Sequence, residues 1–207
     1  MKTLIVDYGM GNLQSLYRAV EENGGHPFIS QHPSELRNAS KVILPGVGAF
    51  SNAMKNLKEK GWVDELNRVV KEGGVPLLGV CLGMQLLSDK GHENKLVNGL
   101  GFIKGDAVKL IPATNNEKIP HVGWNEVNLI KEHWLFNNID DNTDFYFVHS
   151  YSIQLMNSND VIALTPYCGT FVSAVANNNI LGVQFHPEKS SKSGLRLLEN
   201  FLKYSSA

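Results

Sequence analysis

The chain has 207 residues, enough for one well-cored domain, and its 43% apolar and 19% charged residues are ordinary for a soluble globular protein. Lys and Arg number 19 against 20 Asp and Glu, and a net charge of −1 leaves no electrostatic footprint for nucleic acid or an anionic membrane surface. An acid, Asp7, follows only three consecutive apolar residues, which is too early for a signal peptide, and no apolar run nears the roughly 18 residues of a membrane span. The two cysteines, Cys81 and Cys168, are expected as reduced thiols in a cytoplasmic protein.

Thr3 to Asp7 is a short run rich in branched residues and predicts a first strand. Leu13, Leu16, Tyr17 and Val20 follow at helical spacing, with Asn12 as N-cap and Asn23-Gly24-Gly25 as the stop. Lys41 to Leu44 predicts a buried strand closed by Pro45-Gly46-Val47-Gly48, and Phe50, Ala53, Met54 and Leu57 mark the next helix. Asp64 to Lys71 predicts a further helix, and Val75 to Val80 a strand that runs straight into Cys81. Strand predictions then crowd together at Ala107–Ile111, Glu126–Ile130, Thr143–Val148, Val161–Leu164, Thr170–Val175 and Ile180–Phe185, before a last helix with Leu195, Leu198, Phe201 and Leu202. The expected fold is α/β: a mostly parallel central sheet with helices on both faces, plus antiparallel strands or a small side sheet in the second half. No repeat or linker divides the chain, so residues 1–207 are taken as one domain.

The chemistry concentrates at Gly79-Val80-Cys81-Leu82-Gly83-Met84-Gln85. A strand ending at Val80 and a helix beginning at Leu82 put Cys81 on a sharp turn, in the pattern of a nucleophile elbow with cysteine in place of serine. Such a turn needs small residues on either side, exposes the sulfur, and places it at a helix N-terminus where amides and dipole favour a thiolate. The Leu82 amide would supply half of an oxyanion hole. An isolated cysteine is more often a buried core residue, and the flanking glycines at a strand-to-helix junction are what favour the reactive reading. In Val183-Gln184-Phe185-His186-Pro187-Glu188, Pro187 biases His186 to extended backbone, so that Glu188, two residues on, projects to the same side and can orient its ring. Nucleophile, base and orienting carboxylate are then all present as Cys81, His186 and Glu188. The Val47–Gly48 backbone is the candidate for the second oxyanion donor, if its strand ends beside that of Cys81. Gly9-x-Gly11 lacks the third glycine of a dinucleotide fingerprint, no phosphate loop is present, and no Cys or His pair has zinc-ligand spacing.

With these two segments the chain resembles the class I, triad-type glutamine amidotransferases. Asp7 to Asn12, Leu44 to Gly48, Pro120 to Asn125 and Phe147 to Tyr151 narrow the resemblance to the glutaminase subunits of imidazole glycerol phosphate synthases, from residue 3 to about residue 202. The resemblance implies that Cys81 attacks the glutamine amide and that His186 moves the protons while Glu188 orients it. Leu82, Val47 and Gly48 would serve the oxyanion, and Gln85, Glu93 and the Ser150–Tyr151 backbone would hold the substrate. It implies no metal and no organic cofactor. It also implies a (β/α)8-barrel cyclase as partner in a heterodimer of histidine biosynthesis, docked through Met10, Asn12, Trp124, Tyr146 and Lys189, with a Gly46–Gly48 turn able to take more than one conformation. The alternatives are a glutaminase serving another synthase, a γ-glutamyl hydrolase-like cysteine hydrolase, or a non-catalytic scaffold.

Overall fold

A computed structural model describes residues 2–204. The first half alternates strand and helix: β1 (Lys2–Val6), α1 (Leu13–Glu22), β2 (His26–Ser30), β3 (Lys41–Leu44), α2 (Phe50–Glu59), α3 (Trp62–Leu66), β4 (Leu77–Val80) and α4 (Leu82–Leu86). Short strands β5 (Lys90–Gly91) and β6 (Val97–Asn98) follow, then β7 (Gly105–Lys109), β8 (His121–Leu129), β9 (Thr143–His149), β10 (Tyr151–Leu155), β11 (Val161–Thr165), β12 (Phe171–Asn177), β13 (Ile180–Val183) and α5 (Ser191–Lys203).

Nine strands form one sheet in the order β2-β1-β3-β4-β13-β12-β11-β8-β9, and four form a second, β10-β7-β5-β6. The first five strands of the large sheet pair in parallel and the remaining pairs are antiparallel. Both additions expected in the second half are thus present, the antiparallel strands and the side sheet.

The parallel strands read as unbroken apolar runs because both of their faces are covered. Leu4, Val6, Val42, Leu44 and Leu77 point into the core shared with α2, α3 and α4, whereas Ile5, Ile43, Leu78, Val80, Leu181 and Val183 point into the core shared with α1 and α5. Each such fully buried aliphatic side chain contributes about 2 kcal/mol.

Three local expectations change. Asn12 precedes α1, but its side chain makes no capping hydrogen bond. The helix predicted over Asp64–Lys71 begins earlier, at Trp62, and continues from Asn67 to Glu72 as a π-helical stretch. The strand expected over Ile180–Phe185 ends at Val183, and the following residues leave the sheet to build the site.

Candidate active site

Cys81 joins β4 to α4 with φ 55° and ψ −112°, a backbone state that residues with a side chain rarely adopt and that recurs where a nucleophile is thrust out of a sheet. The flanking glycines are explained by two different contacts. A Cβ on Gly79 would lie 2.8 Å from the Gly83 carbonyl oxygen, so this glycine admits the returning helix. A Cβ on Gly83 would collide with the Leu44 carbonyl oxygen, so that one seats α4 against the end of the neighbouring strand β3. Because α4 has only five residues, its electrostatic help to the sulfur comes from its unpaired first-turn amides more than from a long dipole.

His186 reaches the elbow because β13 lies beside β4, with Val183 opposite Val80. His186 itself is extended, at φ −99° and ψ 96°, but Pro187–Lys189 turns as a short 3-10 helix. That turn, and not a continuing strand, brings Glu188 back, and its Oε1 lies 2.9 Å from His186 Nδ1. The two side chains are 4% and 1% exposed. Burial alone would hold the imidazole neutral; its interactions with Cys81 and with Glu188 outweigh burial and raise it to about 10. The second carboxylate oxygen of Glu188 is buried without a hydrogen-bond partner among the described residues.

The Pro45–Gly48 turn stands next to the elbow, since Leu44 of β3 pairs with Gly79 of β4. Tyr8 donates its hydroxyl to the Pro45 carbonyl at 2.9 Å, and a Cβ on Gly46 would lie 2.7 Å from that hydroxyl and 2.8 Å from Leu82 Cβ. Gly48 has φ +100°, a left-handed state suited to glycine, and its Cα faces the Met10 methyl.

Val47, Gly48, Cys81, Leu82, Gln85, Glu93, Ser150, Tyr151, His186 and Lys189 all line one cavity of about 250 Å³, joined by Val148 and His149. Glu188 stands behind His186, outside the lining. The Sγ of Cys81 has the Val148 carbonyl at 3.7 Å and the Gln184 Nε2 at 3.7 Å. Several expected substrate contacts are already engaged within the protein. Gln85 Nε2 donates to the Tyr151 carbonyl at 2.8 Å and to Gln184 Oε1 at 3.1 Å. The Ser150 carbonyl accepts from the Leu110 amide at 2.9 Å. Glu93, expected as a substrate contact, is half-buried, and its Oε2 accepts the Phe50 amide at 2.7 Å, capping the start of α2.

Two histidines that carry no expected role from the sequence also pair beside the cavity. His149 Nδ1 lies 2.9 Å from the Tyr151 carbonyl and His149 Nε2 lies 3.0 Å from His121 Nδ1. Burial pushes His149 down to about 3 and His121 down to about 4, so both rings are neutral. Neither lies in a strand predicted from sequence, over Glu126–Ile130 or Thr143–Val148, and only the register that sets His121 opposite His149 brings them together.

Outside the cavity, β8 and β9 carry an apolar outer face: Val122 opposite Val148 and Trp124 opposite Tyr146. Trp124 is 54% exposed and packs edge-on against Tyr146, so it lies on the surface, and Lys189 Nζ sits 5.9 Å from the Tyr146 ring centre. Met10 and Asn12 are half-buried, Met10 with its methyl beside Gly48 of the lining and Asn12 outside that lining. Among the described residues no cluster of His, Cys, Asp and Glu is arranged to hold a metal ion, and no helix is long and apolar enough to cross a membrane.

Known proteins match this chain closely. A family model described as Glutamine amidotransferase class-I matches residues 4–204. Imidazole glycerol phosphate synthase subunit HisH 1 of Campylobacter jejuni is 45% identical over 199 residues, covering 96% of this chain and 98% of that protein. HisH 2 of Methanococcus maripaludis is 46% identical with the same coverage, and HisH of Moorella thermoacetica is 48% identical over 95% of this chain and 92% of its own. Among solved structures, one described as PurLQS from Thermotoga maritima superposes with a TM-score of 0.76 at 19% identity, covering 98% of each chain. A second, described as a glutamine amidotransferase, superposes at 0.75 and 18% identity, covering 97% of each chain. The chain therefore belongs to the class-I glutamine amidotransferases and, within them, to the HisH subunits of imidazole glycerol phosphate synthase.

Proposed function

We propose that Cys81, His186 and Glu188 are the catalytic residues of this glutaminase, and that it acts in the cytoplasm and passes its ammonia to a (β/α)8-barrel cyclase docked over the cavity. The observation that carries the reading is the convergence of a strained cysteine elbow and a His–Glu pair, held on neighbouring strands, on one cavity bordered by a glycine turn.

The glutamine side chain enters with its amide carbon above Cys81. The thiolate adds to that carbon, and the Leu82 amide, with an amide of the Val47–Gly48 turn, holds the oxygen as it becomes anionic. His186, cationic through its interactions with Cys81 and Glu188, gives its proton to the amide nitrogen. The C–N bond breaks, ammonia leaves and a thioester remains. Water then gives a proton to the neutral His186 as its oxygen attacks the thioester, and the returning thiolate releases glutamate. Glu188 changes charge in neither half; it fixes the tautomer in which Nδ1 faces the carboxylate. Each step uses only side chains and backbone of this chain.

Ammonia freed in bulk water would be protonated, so the mouth should close against a second protein. The apolar face with Val122, Trp124 and Val148 supports that surface, with Tyr146 and Lys189 beside it, and the proposed contact extends to Met10 and Asn12. The test is glutamate release by the chain and by Cys81→Ala, each with and without the cyclase subunit and its ligand. Release that depends on Cys81 and increases with the ligand-bound cyclase is expected. Undiminished release by Cys81→Ala would overturn the assignment of the nucleophile, and equal turnover with and without the cyclase would overturn the dependence on a partner.

A further inference from the structure

Gln184 is fully buried and has no part in the mechanism above. Its backbone amide donates to the Ser173 carbonyl at 2.9 Å, which anchors it as the chain leaves β13. Its side chain bridges Gln85 and Cys81, with Oε1 at 3.1 Å from Gln85 Nε2 and Nε2 at 3.7 Å from the sulfur. Which end of an amide faces which neighbour must be deduced from the partners, and here one atom decides it. The Tyr151 carbonyl can only accept, so Gln85 must turn its nitrogen toward it. That nitrogen also meets Gln184, which must answer with its oxygen, and the Gln184 N–H is left aimed at the sulfur.

The histidine pair fixes the other end of the same string. His149 carries its proton on Nδ1, facing the Tyr151 carbonyl, so its Nε2 accepts from His121 Nδ1, and His121 Nε2 accepts from Asn125 Nδ2 at 3.3 Å. Every link has a single polarity. The sulfur therefore stands among a donor, Gln184, which favours its anion, an acceptor, the Val148 carbonyl, which can hold only the protonated thiol, and two titratable neighbours, the His186 cation, which also favours the anion, and the neutral Tyr8 hydroxyl.

We propose that Gln184 is a further member of the catalytic apparatus: its side-chain N–H, oriented through Gln85 by the Tyr151 carbonyl, stabilises the anionic sulfur of Cys81 against the thiol form held by Val148. This rests on Cys81 being the nucleophile. A donor to an ionised acceptor tightens as charge develops, and a space-filling side chain offers no such gain.

The experiment follows iodoacetamide alkylation of Cys81 across pH in the full chain, with Cys168→Ser removing the second thiol. Gln184→Met keeps the bulk and removes the donor; Gln184→Glu differs by one group and puts an acceptor against the sulfur. Removing the donor should cut the alkylation rate at pH 7 about tenfold and raise the pH of half-maximal rate by about one unit, with a larger change for Gln184→Glu. An unshifted pH profile in variants that still melt cooperatively would overturn the proposal. So would loss of the fold in both, which would make Gln184 a structural residue. Glutamate release by the Cys168→Ser chain together with the cyclase subunit and its ligand separates the two readings: none, beside the expected alkylation shifts, would sink the assigned reaction and leave the Gln184 contact standing.

Discussion

Cys81 occupies a region of φ and ψ that glycine enters at little cost and cysteine does not. Cys81→Gly is therefore expected to stabilise the fold by about 1 kcal/mol, read as a higher denaturant midpoint, while abolishing glutamine hydrolysis. A lower midpoint would mean that the elbow stores no strain. His186 gives a prediction with a definite sign. Its folded value is raised from the ordinary 6.5 to about 10, so the stability it contributes is whole below 6.5 and is lost as pH climbs through about 10. Glu188→Gln removes one source of that support. Its melting temperature should begin to fall at lower pH on the alkaline side than that of the unaltered chain, and its turnover should drop on the order of 10³-fold. Alkaline limbs that coincide would refute the coupling. At this scale the proposed reactive residues were legible as candidates because elbow and His-Pro-Glu segment are contiguous and chemically distinctive. Gln184 and His149 were not, because a glutamine and a histidine show their partners only once β4, β9, β10 and β13 are assembled.

Elements in this protein depend on residues far away in sequence. Glu93 ties a loop to the first amide of α2, forty-three positions earlier. If that cap is its main task, Glu93→Ala should lower stability by about 1 kcal/mol with little change in KM for glutamine. A raised KM with unaltered unfolding would instead make it a substrate ligand. Gly83 is stricter, since any Cβ there meets the backbone of β3. Gly83→Ala should cost about 3 kcal/mol or more, measured by urea unfolding, and a variant as stable as the parent would contradict the packing described. Strands buried on both faces, such as β3 and β4, could be read directly as apolar runs. Strand β2 could not: it is an outer strand with Pro27, and its exposure does not alternate. Strand β10 was hidden for another reason. One residue, Ser150, separates it from β9, yet the two lie in different sheets, and a continuous stretch of strand-forming residues does not reveal where a chain changes sheet.

For the whole molecule, the informative surface is the side of β8 and β9 turned away from the core. It keeps Val122, Trp124 and Val148 exposed beside the cavity mouth, where a solitary protein would place polar side chains. Trp124→Ala should weaken association with the cyclase subunit at least tenfold, by calorimetric titration, without altering the melting curve of the isolated chain. Unchanged affinity would move the docking surface elsewhere. The α/β class followed from the alternation in the first half, but the split between one long sheet and a separate four-stranded sheet rests on pairings such as β10 with β7, which join residues more than forty positions apart.

The pairing of Val80 with Val183 has one more consequence. The proposed nucleophile and base leave the two sides of one rung of a hydrogen-bonded ladder, Cys81 one residue and His186 three residues beyond it, so their placement is anchored to the near-constant spacing of neighbouring strands. It behaves as a lattice constant of the sheet. Surface loops such as 112–118 can then drift in length and composition without detuning the reactive pair. One residue inserted into or removed from either strand would shift its register by a full step and turn the reactive group to the other face.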